Sequence, residues 1–147
     1  MLGLILLFIL TLTISYWDTR YRRIPNRLVA MVLLTSLLIS INQYGAGQLL
    51  QGLCSSLMVL GVSLLLFKFN IMAAGDGKLA SALAITLVPS QLLLPLFLTA
   101  MIGGVLAIIY LVKDYVINRN RKRQHRGLPY GVAISFGFYI PILAAYY

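Results

Sequence analysis

The stretch Asn70-Ile71-Met72-Ala73-Ala74-Gly75-Asp76-Gly77-Lys78-Leu79-Ala80 decides how this chain is read. Asp76 stands between two glycines inside an otherwise apolar run. Uninterrupted, the run from Ile71 to Val88 is about one membrane span long. An ionisable group at such a depth is costly and needs a partner, water or a chemical task. The chain has only two other acidic residues, Asp18 and Asp114, and no glutamate. The reading therefore depends on which of them meets Asp76.

The surrounding composition is that of a membrane protein. Of 147 residues, 61% are hydrophobic and 10% charged, against about 25% charged in a soluble domain. The length suits one domain over residues 1–147, and no polar stretch is long enough to fold separately. The net charge of +9 is distributed by gap. Arg20, Arg22, Arg23 and Arg27 share one polar gap, and Lys68 and Lys78 flank a second. Lys113, Arg119, Arg121, Lys122, Arg123 and Arg126 lie in or border a third. The gaps between, at Asn42–Gly47 and Val88–Gln91, have no basic residue. This alternation follows the positive-inside rule, with the basic gaps cytoplasmic. It argues against nucleic acid and for the lipid bilayer as the partner, with a weak pull towards anionic lipid. The single cysteine, Cys54, excludes a disulfide framework and a cysteine metal site and reads as a small buried apolar residue.

The expected fold is all-α: a polytopic membrane helix bundle of about six transmembrane helices, with both termini outside. Met1–Trp17 is the first span. It has no basic residue before it and no small-residue cleavage site after it, so it makes a poor signal peptide. The arginines that follow place Asp18 at the cytoplasmic end, with Tyr16 and Trp17 in the aromatic belt. In the next loop Pro25 starts a second span over Leu28–Ile41, and Asn26 can bond free backbone groups near that helix start. A turn at Asn42–Gly47 and a third span over Leu49–Phe67 follow. The fourth span begins around Gly75–Lys78 and ends before Pro89. Two readings of its start stay open: a helix beginning behind irregular backbone that lines a wet cavity, or a helix beginning at Ile71 with Asp76 buried inside it. The glycines favour the first. The fifth span, Leu92–Val112, has Ala100, Gly103, Gly104 and Ala107 at spacings that suit close helix packing. The sixth runs from Pro129 to the C-terminus, where Tyr146-Tyr147 suits the outer interface.

Asp18 and Asp76 are thus expected at the cytoplasmic ends of the first and fourth spans. If they meet, both cannot ionise cheaply, and one keeps a proton near neutral pH. Such a pair contains a base to activate water and an acid to donate a proton, as in aspartic proteases. Each residue also has a plain structural reading: Asp18 as an interfacial partner of Arg20 or Arg22, Asp76 as a helix N-cap. Asp114 reads as an interfacial salt bridge beside Lys113, and His125 as a solvated residue in the basic loop. Lys78 snorkels to the interface or tunes Asp76 from one turn away. Two aspartates and a distant histidine are too few ligands for a metal site.

Three stretches resemble a known family. Asp18-Thr-Arg-Tyr-Arg-Arg-Ile-Pro-Asn26 is similar to the D-x-x-x-R-x-I-P-N signature of type IV prepilin peptidases. Ala73-Ala74-Gly75-Asp76-Gly77-Lys78-Leu79 is similar to their G-x-G-D-x-K-L signature, with Ala73 in place of the first glycine. Pro129-Tyr130-Gly131-Val132-Ala133-Ile134 is similar to their P-Y-G-P-A-I stretch, with Val132 in place of proline. All three occur in family order, and the compact length resembles the short Tad/Flp pilus branch, the CpaA-like enzymes. The resemblance implies a multi-pass aspartic endopeptidase of the prokaryotic cytoplasmic (inner) membrane, with Asp18 and Asp76 catalytic. It implies prepilin or pseudopilin precursors as partners, their leaders cut at the cytoplasmic face. Asn26, Gly75, Lys78 and Tyr130 are the supporting candidates at the site. No cofactor is implied: the paired-cysteine domain of longer relatives has no counterpart here, so neither zinc nor methyl transfer is expected. The competing readings are a small proton-coupled transporter, since an intramembrane carboxylate beside a broken helix suits ion coupling, and a non-catalytic membrane subunit of a pilus assembly machine.

Overall fold

The computed structural model describes residues 1–117 and 128–146, apart from the side chains of 43–48, 114, 116 and 117. The expected roles of His125 and of the Asp114 side chain lie outside the described residues. Within them the fold is all-α: α1 (Leu2–Tyr21), α2 (Asn26–Lys68), α3 (Ala74–Ala84), a 3-10 turn (Pro89–Gln91), α4 (Leu93–Ile117) and α5 (Tyr130–Tyr146). Among the described residues, three segments are long and apolar enough to cross a membrane: Leu2–Tyr21, Leu49–Lys68 and Pro89–Lys113. Asn26–Asn42 and Tyr130–Tyr146 are shorter apolar helices.

One element departs from the expected pattern. The bounds of α2 span Asn42–Gly47, where composition suggests a turn, and α2 carries 43 residues. It is nevertheless not straight. A Cβ on Gly52 would stand 3.6 Å from Ser40 Oγ, whereas a straight helix separates positions 40 and 52 by about 18 Å. The chain therefore reverses between them, and α2 consists of two arms. The second arm buries Gly52, Ser55, Val59 and Ser63, a stripe of small residues on one helix face that lets a neighbour approach closely. That neighbour is α3. A Cβ on Gly77 would lie 2.7 Å from Ser63 Cβ, and one on Gly52 would collide with the Ile85 carbonyl oxygen.

The short helix α3 is the hub. Its 11 residues rise only about 16 Å, too little to cross a ~30 Å hydrocarbon layer. Every residue from Leu79 to Leu87 is buried. Both α1 and α3 pack on α2 and on α5, but they make no extended contact with each other. The inward face of α1 is a stripe of Leu4, Leu7, Thr11 and Ile14 that continues to Asp18, the spacing of one helix face. Leu2, Ile5, Ile9 and Tyr16 point outward. At the far end of this helix the Met1 ammonium donates to Tyr146 Oη at 3.0 Å, so both described ends of the chain meet away from Asp18.

Two expectations about α2 and α4 are corrected. Cys54 is exposed on the outer face of α2. In a membrane helix apolar residues face lipid as readily as core, so apolar surroundings in sequence do not imply burial. Of the two glycines in the fifth span, Gly103 makes the close approach, its missing Cβ leaving room for the Tyr130 ring and Ala133 of α5. Gly104 faces open space. The second close crossing of this pair uses Gly137 of α5 against Thr99 of α4.

Candidate active site

Asp18 lies in the last turn of α1, where the packed face of the helix reaches its end. Arg22 caps the helix with its backbone in the left-handed region, φ 55, and donates its N–H to the Asp18 carbonyl at 2.9 Å. The Asp18 side chain is 6% exposed and is held from a different element. Gly131, second residue of α5, donates its backbone N–H to Asp18 Oδ2 at 2.8 Å. The first N–H groups of a helix have no partner within it, and here a carboxylate from another helix takes one of them. A Cβ on Gly131 would lie 2.8 Å from that oxygen and 3.0 Å from Asp18 Cγ, so this contact needs glycine.

Asp76 reaches the same place by another route. The second arm of α2 ends in a left-handed residue, Asn70 with φ 57. Ile71 N–H then bonds the Leu66 carbonyl and Asn70 N–H the Phe67 carbonyl, the paired bonds of a Schellman stop. The chain runs irregularly to Ala73, which is extended, and α3 begins at Ala74. Of the two open readings, the helix that starts behind irregular backbone is therefore the one found. Asp76 is not the N-cap: Ala73 holds that position, and Asp76 sits in the first turn with its N–H on the Ala73 carbonyl at 3.1 Å. Asp76 is 7% exposed.

Both carboxylates line one cavity of about 480 Å³, together with Arg22, Arg23, Ile24, Asn26, Ala73, Ala74, Gly75, Lys78 and Leu128. The segment that follows α1 and the first turns of α3 thus supply most of its wall. Three of the four supporting candidates, Asn26, Gly75 and Lys78, are on that wall. Tyr130 is not; its ring lies on Gly103 of α4, one residue before the glycine that binds Asp18. Sequence reasoning passed over Gly131, Arg22 and Arg23 as site residues. The signal for Gly131 was its place in the Pro-Tyr-Gly stretch, but nothing in one dimension says that a backbone N–H there faces residue 18. Among the described residues no three His, Cys, Asp or Glu side chains gather as a metal set.

Two buried carboxylates on the wall of one cavity are equipped for acid–base work on a polar bond, one as base and one as acid. The family comparison agrees with that chemistry. The family model of the type IV leader peptidase family matches residues 5–108, more than half of the chain and both aspartate-bearing stretches. The chain belongs to this family and is an aspartic-type prepilin peptidase, a helical membrane enzyme whose family substrates are prepilins. Comparison with curated proteins and with solved structures gave no match.

Proposed function

We propose that this chain is a single-domain endopeptidase that removes leader peptides from Flp/Tad-type prepilins or pseudopilins, using Asp18 and Asp76 as its catalytic pair. The observation that carries this reading is the shared cavity: two aspartates, 58 positions apart in sequence, both nearly buried and both on its wall. A water between them attacks the scissile carbonyl carbon. The ionised carboxylate takes the water proton, and the protonated one donates to the carbonyl oxygen. The tetrahedral intermediate then collapses: the C–N bond breaks as the carboxyl that took the water proton passes it to the leaving amine, and the other carboxylate takes a proton from a hydroxyl of the intermediate, which leaves a carboxylic acid product and returns the pair to one shared proton. Asp18 is steadied for this by the Gly131 N–H, and Lys78 and Asn26 face the same space.

The site opens at the cytoplasmic side of the inner membrane in this reading, with both termini outside. The basic gaps and the meeting of Met1 with Tyr146 at the opposite end support that orientation. The substrate's apolar segment then lies in the bilayer beside the bundle and delivers its leader junction to the cavity. The test is processing of a co-expressed Flp-type prepilin by the wild-type chain and by Asp18→Asn and Asp76→Asn. Loss of cleavage by about 10²–10⁴-fold in each is the expected result for a missing acid–base group. Full processing by either variant at matched expression overturns the two-carboxylate mechanism.

A further inference from the structure

Arg22 occupies an uncommon place for a cationic side chain. It is the first residue past α1, its backbone is left-handed, and it lines the cavity with both aspartates. The left-handed region is sparsely used by residues other than glycine, asparagine and aspartate. Its guanidinium carbon lies 4.9 Å from the centroid of the Tyr110 ring on α4, within the range of a cation–π contact. Beyond this, among the described residues α4 packs on α5 and the 3-10 turn and makes no extended contact with α1. The Arg22–Tyr110 pair therefore ties an otherwise peripheral helix to the end of α1 that carries Asp18. Tyr110 itself lies outside the residues that match the family model and outside the three signature stretches.

We propose that Tyr110 is a positioning residue, whose ring holds the Arg22 guanidinium at the wall of the carboxylate cavity so that it meets the substrate backbone beside the bond to be cut. A guanidinium offers five N–H donors in a rigid fork and no acceptor, which fits the carbonyl oxygens of an extended peptide. An arginine free to sample its rotamers would lose that freedom on engaging substrate. Resting on an aromatic face, it has lost it beforehand. The ring acts through its face, so phenylalanine replaces tyrosine and an aliphatic residue does not.

This inference rests on the two-carboxylate reading, and the experiment separates the two. Steady-state cleavage of a prepilin that the wild-type chain processes is measured with purified enzyme in detergent micelles. The variants are Tyr110→Leu, Tyr110→Phe, Arg22→Gln, the double variant Tyr110→Leu with Arg22→Gln, and Asp18→Asn. Tyr110→Leu is expected to lower kcat/KM about three- to tenfold, the size of one cation–π contact, mainly through a raised KM. Tyr110→Phe stays within about twofold of wild type. Arg22→Gln loses at least as much as Tyr110→Leu, and adding Tyr110→Leu to it causes no further loss, since the ring then has no cation to hold. Unchanged kcat/KM in Tyr110→Leu or in Arg22→Gln overturns the proposal. So does an equal loss in Tyr110→Phe, or a full additional loss in the double variant. If Asp18→Asn cleaves normally the catalytic reading itself fails; if it is inactive while Tyr110→Leu is normal, only the role of Tyr110 fails.

Discussion

Gly131 is the residue on which the site depends most directly without carrying reactive chemistry. Its N–H reaches Asp18 Oδ2 at 2.8 Å, and a methyl group there would press on the same carboxyl. Gly131→Ala is therefore expected to displace Asp18 and lower cleavage at least about tenfold, the scale of one hydrogen bond to a charged group, while the variant still accumulates in the membrane. Prepilin turnover at matched enzyme levels checks this, and wild-type turnover would show that the carboxyl is free to move. The pH dependence belongs to the same scale. Activity should fall on the acid side as the base gains its proton and on the alkaline side as the acid loses its own, which makes kcat/KM bell-shaped. A profile with a single limb would remove one member of the pair. At this scale the two aspartates were legible in sequence, because a carboxylate is conspicuous in a chain with three acids. The glycine was not, because its contribution is a backbone group, which every residue but proline has.

At the scale of elements, the close seating of α3 against the second arm of α2 matters more than any single polar contact. Gly77 faces Ser63 and Gly52 faces the Ile85 backbone. The two glycines set the helix separation and with it the depth of Asp76. Gly52→Ala meets a carbonyl that cannot rotate away. It should destabilise the bundle by about 1–3 kcal/mol, as overpacking does, read as a lowered Tm in detergent. Gly104→Ala, which faces open space on α4, is the contrasting variant and should leave Tm unchanged within error. The small-residue stripe Gly52, Ser55, Val59 and Ser63 could have been found in sequence, since its spacing follows one helix face. The reversal in α2 was expected between 42 and 47, and the closeness of Gly52 to Ser40 agrees with a change of direction.

Across the molecule, α5 and α2 bridge α1 to α3, and the two aspartates meet over a cavity rather than through packed helices. Reporter fusions after Tyr147 and before Met1 should therefore fall on the same side of the membrane, and a cysteine-accessibility label at Arg23 on the other. Labels that place Arg23 with the termini would refute the orientation proposed above. Composition alone settled the solvent in which this chain folds, since 61% hydrophobic residues with charges confined to a few gaps have no stable arrangement in water. The charge pattern placed Asp18 at one end of its span, but nothing in the spacing along α1 told the packed face from the outer one, since exposed Leu2, Ile5 and Ile9 are as apolar as buried Leu4, Leu7 and Ile14. How the helices are turned towards one another had to come from the tertiary structure. In lipid the outward face of a helix is as apolar as the inward one, so the hydrophobic pattern that orients a helix in a soluble protein is nearly flat here. Which backbone N–H meets Asp18, which ring meets Arg22 and which helix α3 rests on were decided by shape: by missing Cβ atoms and the close approaches they permit, which only three dimensions reveal.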